Sequence, residues 1–182
     1  VVTGPVGDRL VATVIGVGNR WRNDDGAGPA VVSRLAARWG DDPRVRLMEV
    51  RGDVTEVVLA WGGADITWII DAIATANAPG AVLEVDPHHL IGAPRLGGSH
   101  RAGVAEAIEL GRALGRMPRE LRLLGIQGDD YADGDRLSPA VCDAVDRVVA
   151  RLDADLSRRI RTPPPAPSPA CADVGGAQFR LG

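Results

Sequence analysis

Val14-Ile15-Gly16-Val17-Gly18-Asn19-Arg20-Trp21-Arg22-Asn23-Asp24-Asp25-Gly26-Ala27-Gly28-Pro29 is the stretch on which the fold turns. A β-branched run ends in two glycines, a polar loop closes on adjacent carboxylates, and a helical pattern begins at Ala27. That is a strand-to-helix turn with acidic side chains at its rim. Upstream, Leu10 to Val17 is apolar except for Thr13, which suits a strand buried on both faces. Downstream, Ala27 to Trp39 carries Val31, Val32, Leu35, Ala36 and Trp39 at helical spacing, with Arg34 and Arg38 opposite. Gly40-Asp41-Asp42-Pro43 stops that helix.

The same alternation continues along the chain. Val45 to Val50 reads as a half-exposed second strand and Asp53 to Trp61 as a second helix, ended by Gly62-Gly63. Ile66 to Ile70 is a third, buried strand with Asp71 at its carboxyl end. Ala72 to Pro79 is too short for a helical crossover, so the next strand, Ala81 to Asp86, is expected to run antiparallel to the third. A loop with His88, His89 and Gly97-Gly98 leads to His100 and a helix over Ala102 to Leu114. Leu121 to Ile126 is the fifth strand and Gln127 to Leu137 a Gly/Asp-rich loop. Ser138-Pro139 opens a long helix to Arg161, with Ser suited to the N-cap and Pro to the first helical position.

This order predicts an α/β protein: a three-layer α/β/α sandwich around a five-stranded mixed sheet, mostly parallel with one antiparallel strand. Right-handed crossovers set the second strand on one side of the first and the third on the other. The carboxyl ends of strands one and three then meet at a switch point, where such sheets bind ligands. Residues 1–161 are expected to form a single domain, and the Pro/Gly/Ala-rich 162–182 a disordered tail.

Composition narrows the function classes. The 182 residues are 45% hydrophobic but only 3% aromatic, so the core must be aliphatic. A net charge of −3, from 24 acidic and 21 basic residues, offers no nucleic-acid groove and no attraction to an anionic membrane. No run approaches the ~18 apolar residues of a membrane span. Val1 to Asp8 lacks the basic and apolar regions of a signal peptide, which makes the cytoplasm the expected location. Cys142 and Cys171 give neither a disulfide framework nor a Cys-metal site.

Gly16-Val17-Gly18 after a strand invites a dinucleotide reading, but the third glycine would fall at Trp21. Asp24 and Asp25 would also repel a pyrophosphate. A cation suits the turn better. Asp25 follows strand one, Asp71 ends strand three, and His100 stands at the junction before the third helix; the proposed topology brings all three to one sheet edge. Two carboxylates and an imidazole form a mixed set suited to Zn, Ni, Mn or Fe(II). Each residue also has a structural reading, Asp24 or Asp25 as a cap and Asp71 as a turn former. No nucleophile elbow and no His-Glu-x-x-His helix competes.

The segments Gly16-Val17-Gly18-Asn19, Asp24-Asp25-Gly26-Ala27-Gly28, Ile70-Asp71-Ala72 and Ser99-His100-Arg101-Ala102-Gly103 together resemble the hydrogenase maturation proteases. Gly125-Ile126-Gln127-Gly128 and Leu137-Ser138-Pro139-Ala140-Val141 continue the likeness, which spans Val11 to Leu152. The resemblance implies an endopeptidase, grouped with the aspartic-type peptidases, that removes a C-terminal extension from the [NiFe]-hydrogenase large-subunit precursor after nickel insertion. It implies Asp25, Asp71 and His100 as metal-binding residues, with Asp25 or Asp71 the candidate general base. Gly18, Asn19, Asp24, Gly26, Gly52 and Gly103 fall at turn and substrate positions. The metal it implies is nickel borne by the substrate, a site other divalent metals could also occupy. Many members have Glu where this chain has Asp25, and Gly-Gly-Thr where it has Arg51-Gly52-Asp53. A non-catalytic nickel-binding escort of the precursor and a nucleotide-dependent enzyme are the alternatives.

Overall fold

A computed structural model of the chain describes residues 11–87 and 101–161, with the backbone alone at 101, 102 and 161. The elements are β1 (Ala12–Val17), α1 (Ala27–Trp39), β2 (Val45–Val50), α2 (Val54–Ala60), β3 (Ile66–Ile73), β4 (Val82–Val85), α3 (Arg101–Ala113), β5 (Glu120–Gln127) and α4 (Pro139–Arg161). A single-turn 3-10 helix, Asn23–Gly26, precedes α1. His100 and residues 162–182 lie outside the described residues. No helix among the described residues is long and apolar enough to cross a membrane.

The strands form one sheet in the order β2-β1-β3-β5-β4. β1 pairs in parallel with β2 and β3, and β3 with β5. β4 runs antiparallel, as its short connection requires, but it pairs with β5, which lies between it and β3. β3 is also longer than its apolar run suggests. Its ladder with β5 continues through Asp71↔Gly125 to Ile73↔Gln127, so Asp71 is a strand residue and not a turn residue.

Side-chain alternation splits the core between the two faces of the sheet. Val14, Trp68 and Ile70 face α1 and α4, where Val31, Leu35, Val145 and Leu152 are buried. Ile15, Val17 and Ile69 face α2 and α3, where Val57, Val58, Val104 and Ile108 are buried. Fully burying an aliphatic side chain of this size stabilises by about 1.5–3 kcal/mol, so two such layers need few aromatics. Asp71 shares its face with Ile69 and Ile73, on the α2/α3 side.

Two glycines let α1 sit directly on the central strands. A Cβ on Gly16 would lie 2.3 Å from the Gly28 carbonyl oxygen. One on Gly28 would lie 2.4 Å from the Val17 oxygen and 2.5 Å from that of Ile70. The first turn of α1 therefore rests against the carboxyl ends of β1 and β3.

Candidate functional site

The turn after β1 is fixed by its backbone. Gly18 has φ +138°, and a Cβ there would be 1.9 Å from the Asp25 oxygen, so glycine is required. The Gly18 amide donates to the Val50 carbonyl, and the Asn19 amide to the Asp25 carboxylate at 3.1 Å. The Asn19 side chain accepts from the Trp21 amide. Asp25 is thereby folded back over the end of β1, only 4% exposed.

Asp71 reaches the same edge from β3 and is 8% exposed. With Ile69, Ile73, Val85, Val104 and Leu123 it lines a cavity of about 40 Å³ between the sheet and α3. On the outer side of the turn lies a more polar cleft of about 220 Å³, lined by Asn19, Arg20, Trp21, Glu49 and Arg51 among others. Arg20 pairs with Glu49 there, and the Trp21 indole is 67% exposed at the rim.

The two adjacent carboxylates have separate tasks. Asp24 is fully buried, and its side chain accepts the amides of Asp129 (2.9 Å), Asp130 (3.1 Å) and Ser138 (2.6 Å). The Asp24 carboxylate therefore holds the loop between β5 and α4 and the N-cap residue of α4. The helix next to it, α1, has no side-chain cap. Ser138 stands where an N-cap belongs, its carbonyl accepting the Cys142 amide, but its hydroxyl is buried without a hydrogen bond.

The β5–α4 loop is clasped to this turn at further points. Asn23, at φ +43°, donates from its side chain to Asp130 at 2.7 Å and accepts from the Arg136 amide. Arg22 donates to the Tyr131 carbonyl at 3.1 Å, and the Tyr131 hydroxyl donates to the Ile73 carbonyl at 2.6 Å. Burial pushes the Tyr131 phenol from its ordinary value of 10.0 up to about 12, and the charges of Asp24, Asp71 and Asp25 add to the shift. One half-buried phenol thus senses all three carboxylates. Between about pH 10 and 12 the unfolded phenol would ionise while the folded one keeps its proton, so stability falls as pH rises through that window. Tyr131→Phe should flatten that part of the alkaline unfolding curve, measured by circular dichroism.

The remaining predicted positions are placed by packing. A Cβ on Gly103 would lie 1.9 Å from the Gly52 oxygen, so the first turn of α3 sits on the β2–α2 turn. Gly52 has φ +87°. Asp53 caps α2 by accepting the amides of Thr55 and Glu56. Gly26 is the N-cap residue of α1. The structure therefore gathers Gly18, Asn19, Asp24, Asp25, Gly26 and Asp71 about the carboxyl edge of β1 and β3. His100, the third residue of the expected ligand set, lies outside the described residues. Among the described residues no three His, Cys, Asp or Glu side chains are grouped to hold a metal. Tyr131 and Asn23 are additions to the site; the signal for Tyr131 was that it is the only tyrosine, set in a Gly/Asp-rich loop.

Residues 29–154 match the family model described as hydrogenase maturation protease. The chain belongs to that family. The match covers Asp71, His100, Gly103 and the β5–α4 loop and begins four residues after Asp25. Among curated relatives of this hydrogenase maturation protease homologue, the hydrogenase expression/formation protein HupD of Thiocapsa roseopersicina is 27% identical, over 70% of this chain and 63% of its own length. HoxM of Azotobacter vinelandii is 30% identical over 66% of this chain and 59% of its own. The chain thus spans about six tenths of the length of these relatives. The hydrogenase maturating endopeptidase HybD from E. coli has the same fold, with a TM-score of 0.70 at 24% identity over 82% of this chain and 94% of that one. HybD from Thermococcus kodakarensis gives 0.66 at 24% identity, over 80% and 98%.

Proposed function

We propose that this protein is an endopeptidase that removes the C-terminal extension of a [NiFe]-hydrogenase large-subunit precursor once nickel has been inserted. The observation that carries this reading is the delivery of two buried carboxylates to one sheet edge, Asp25 by the turn after β1 and Asp71 by β3. That edge is the switch point at which open α/β sheets bind ligands. Family membership supplies the reaction class, and the resemblance supplies His100 as the third ligand.

Two carboxylates and an imidazole leave coordination positions open, so they can complete the shell of a nickel already held by substrate cysteines. Cleavage then depends on prior metal insertion, a gate built from differential binding. Hydrolysis adds one water across the peptide bond. A carboxylate of the pair accepts a proton as the water oxygen attacks the carbonyl carbon, and returns it to the departing amide nitrogen. The cleft beside Trp21, lined by Gly18 and Asn19 of the same turn, is the surface an extended substrate segment would occupy.

The deciding experiment incubates the protein with nickel-loaded and nickel-free precursor and compares their C-terminal masses. Loss of the extension from the loaded form alone is expected. An unchanged mass with tight binding would mean an escort, and equal cleavage of both forms would remove the nickel gate. His100→Ala and Asp71→Asn should remain folded yet process the loaded precursor about a hundredfold more slowly or worse, as losses around metal ligands commonly do.

A further inference from the structure

We infer that Tyr131 is a positioning residue that sets the separation of Asp25 and Asp71 by tying the end of β3 to the turn after β1. The inference rests on the proposed role of those two carboxylates. Its starting point is the register of the sheet. β1 and β3 pair from Ala12↔Ile66 to Gly16↔Ile70, and this ladder stops one residue short of Asp71. Asp25 stands further still from the ladder, in the 3-10 turn before α1. Sheet hydrogen bonding therefore leaves the relative position of the two carboxylates to other contacts.

Tyr131 makes such contacts in both directions. Its hydroxyl donates to the carbonyl of Ile73, two residues past Asp71, at 2.6 Å. Its own carbonyl accepts from Arg22, three residues before Asp25, at 3.1 Å. The flanking chain is held to the same turn, because the Asp129 and Asp130 amides donate to the Asp24 carboxylate. The Asp24 amide in turn donates to the Asp130 carbonyl at 2.9 Å. Space for the phenol is kept open by Gly128, where a Cβ would lie 2.4 Å from the hydroxyl oxygen.

The hydroxyl is not needed to hold β3 in the sheet. The Ile73 carbonyl also accepts the Gly128 amide at 3.0 Å, and Ile73 is paired with Gln127 in the β3–β5 ladder. Removing the hydroxyl leaves that carbonyl satisfied and the strand in register. What goes is the side-chain tie to the turn, leaving the tie through the Gly128 amide and the Asp129 amide on Asp24. Tyr131→Phe is therefore a conservative variant: the ring still fills its place, and the hydroxyl's bonds with Ile73 and Gly128 are what it loses.

Two measurements on the full chain test the tie. Amide hydrogen exchange needs no nickel. In Tyr131→Phe, the Asp24, Asp25 and Gly128 amides should exchange at least about fivefold faster, with β1 unchanged, because local opening governs exchange at such sites. Unchanged exchange at Asp24 and Asp25 would overturn the inference. The second measurement is the ratio of dissociation constants for nickel-free and nickel-loaded precursor. Tyr131→Phe should shrink that ratio about fivefold while leaving nickel-free binding as it was, which a general loss of stability would not do. Arg22→Gln cuts the other arm and should shrink it similarly, and the double variant should lose less than the two combined, as members of one network do. A ratio equal to that of the wild type in both single variants would overturn the inference. Were the wild type to show no preference for the loaded precursor, the nickel gate would fail, and the exchange result alone would still decide the tie.

Discussion

Gly28→Ala is expected to lower stability by about 3 kcal/mol or more, a penalty at the upper end for overpacking a tight interior. On sequence grounds the opposite sign would be forecast, since alanine inside a helix is favoured over glycine by about 1 kcal/mol. Geometry reverses it. The added methyl carbon would lie 2.4 Å from the Val17 oxygen, 2.5 Å from the Ile70 oxygen and 2.8 Å from the Val17 nitrogen, all of them backbone. No side chain can swing away, so α1 must lift from the sheet at the point where β1 and β3 end. For a chain of this size each kcal/mol lowers the melting temperature by about 2–4 °C, so a fall of roughly 6–12 °C should appear by calorimetry. A variant as stable as the wild type would mean that α1 does not rest on those carbonyls.

The same contact shows which parts of the fold were readable in advance. α1, β2 and α4 have the bounds their apolar periodicity suggests, because each buries one stripe or run against a neighbour close in sequence or along the sheet. The placement of β3 between β1 and β5 has another origin. A short connection fixes the direction of β4 but says nothing of which strand it borders, and β5 takes the inner place after a long excursion through α3. β3 extends to Ile73 because β5 is there to pair with it, a cause lying more than fifty residues away along the chain.

The site was legible to a similar depth. An acidic strand-to-helix turn and an acid at the end of a buried run can be read from local pattern, and the fold brings Asp25 and Asp71 to one edge. The work of Asp24 could not be read that way. Its partners lie 105 to 114 residues further on, in a Gly/Asp-rich loop and at the start of α4. Tyr131 is hidden for the same reason, since its link to Ile73 spans 58 residues. Local sequence can mark a residue as unusual, but the acceptor that gives it a purpose is supplied by the fold.

Asp24 and Asp25 should therefore behave oppositely although they are adjacent. Asp24→Ala removes the acceptor for three backbone amides while leaving all three in place. A hydrogen bond to a charged group is worth about 1.5–3 kcal/mol, and stranding a buried donor costs about 1–3 kcal/mol. Asp129 and Asp130 are exposed residues and Ser138 is half-buried, so only part of the full cost is expected, a loss of about 3 kcal/mol. Asp24→Asn keeps one oxygen but turns an NH2 toward the remaining donors, so it should recover only part of that loss. In both variants the β5–α4 loop is released, and precursor processing should fall together with thermal stability. Asp25→Asn should separate the two readouts: it keeps an oxygen for the Asn19 amide, so the melting temperature stays close to wild type while processing is lost. Calorimetry alongside the precursor mass assay checks both. Equal loss of stability in Asp24→Ala and Asp25→Asn would contradict the division of labour between the two carboxylates.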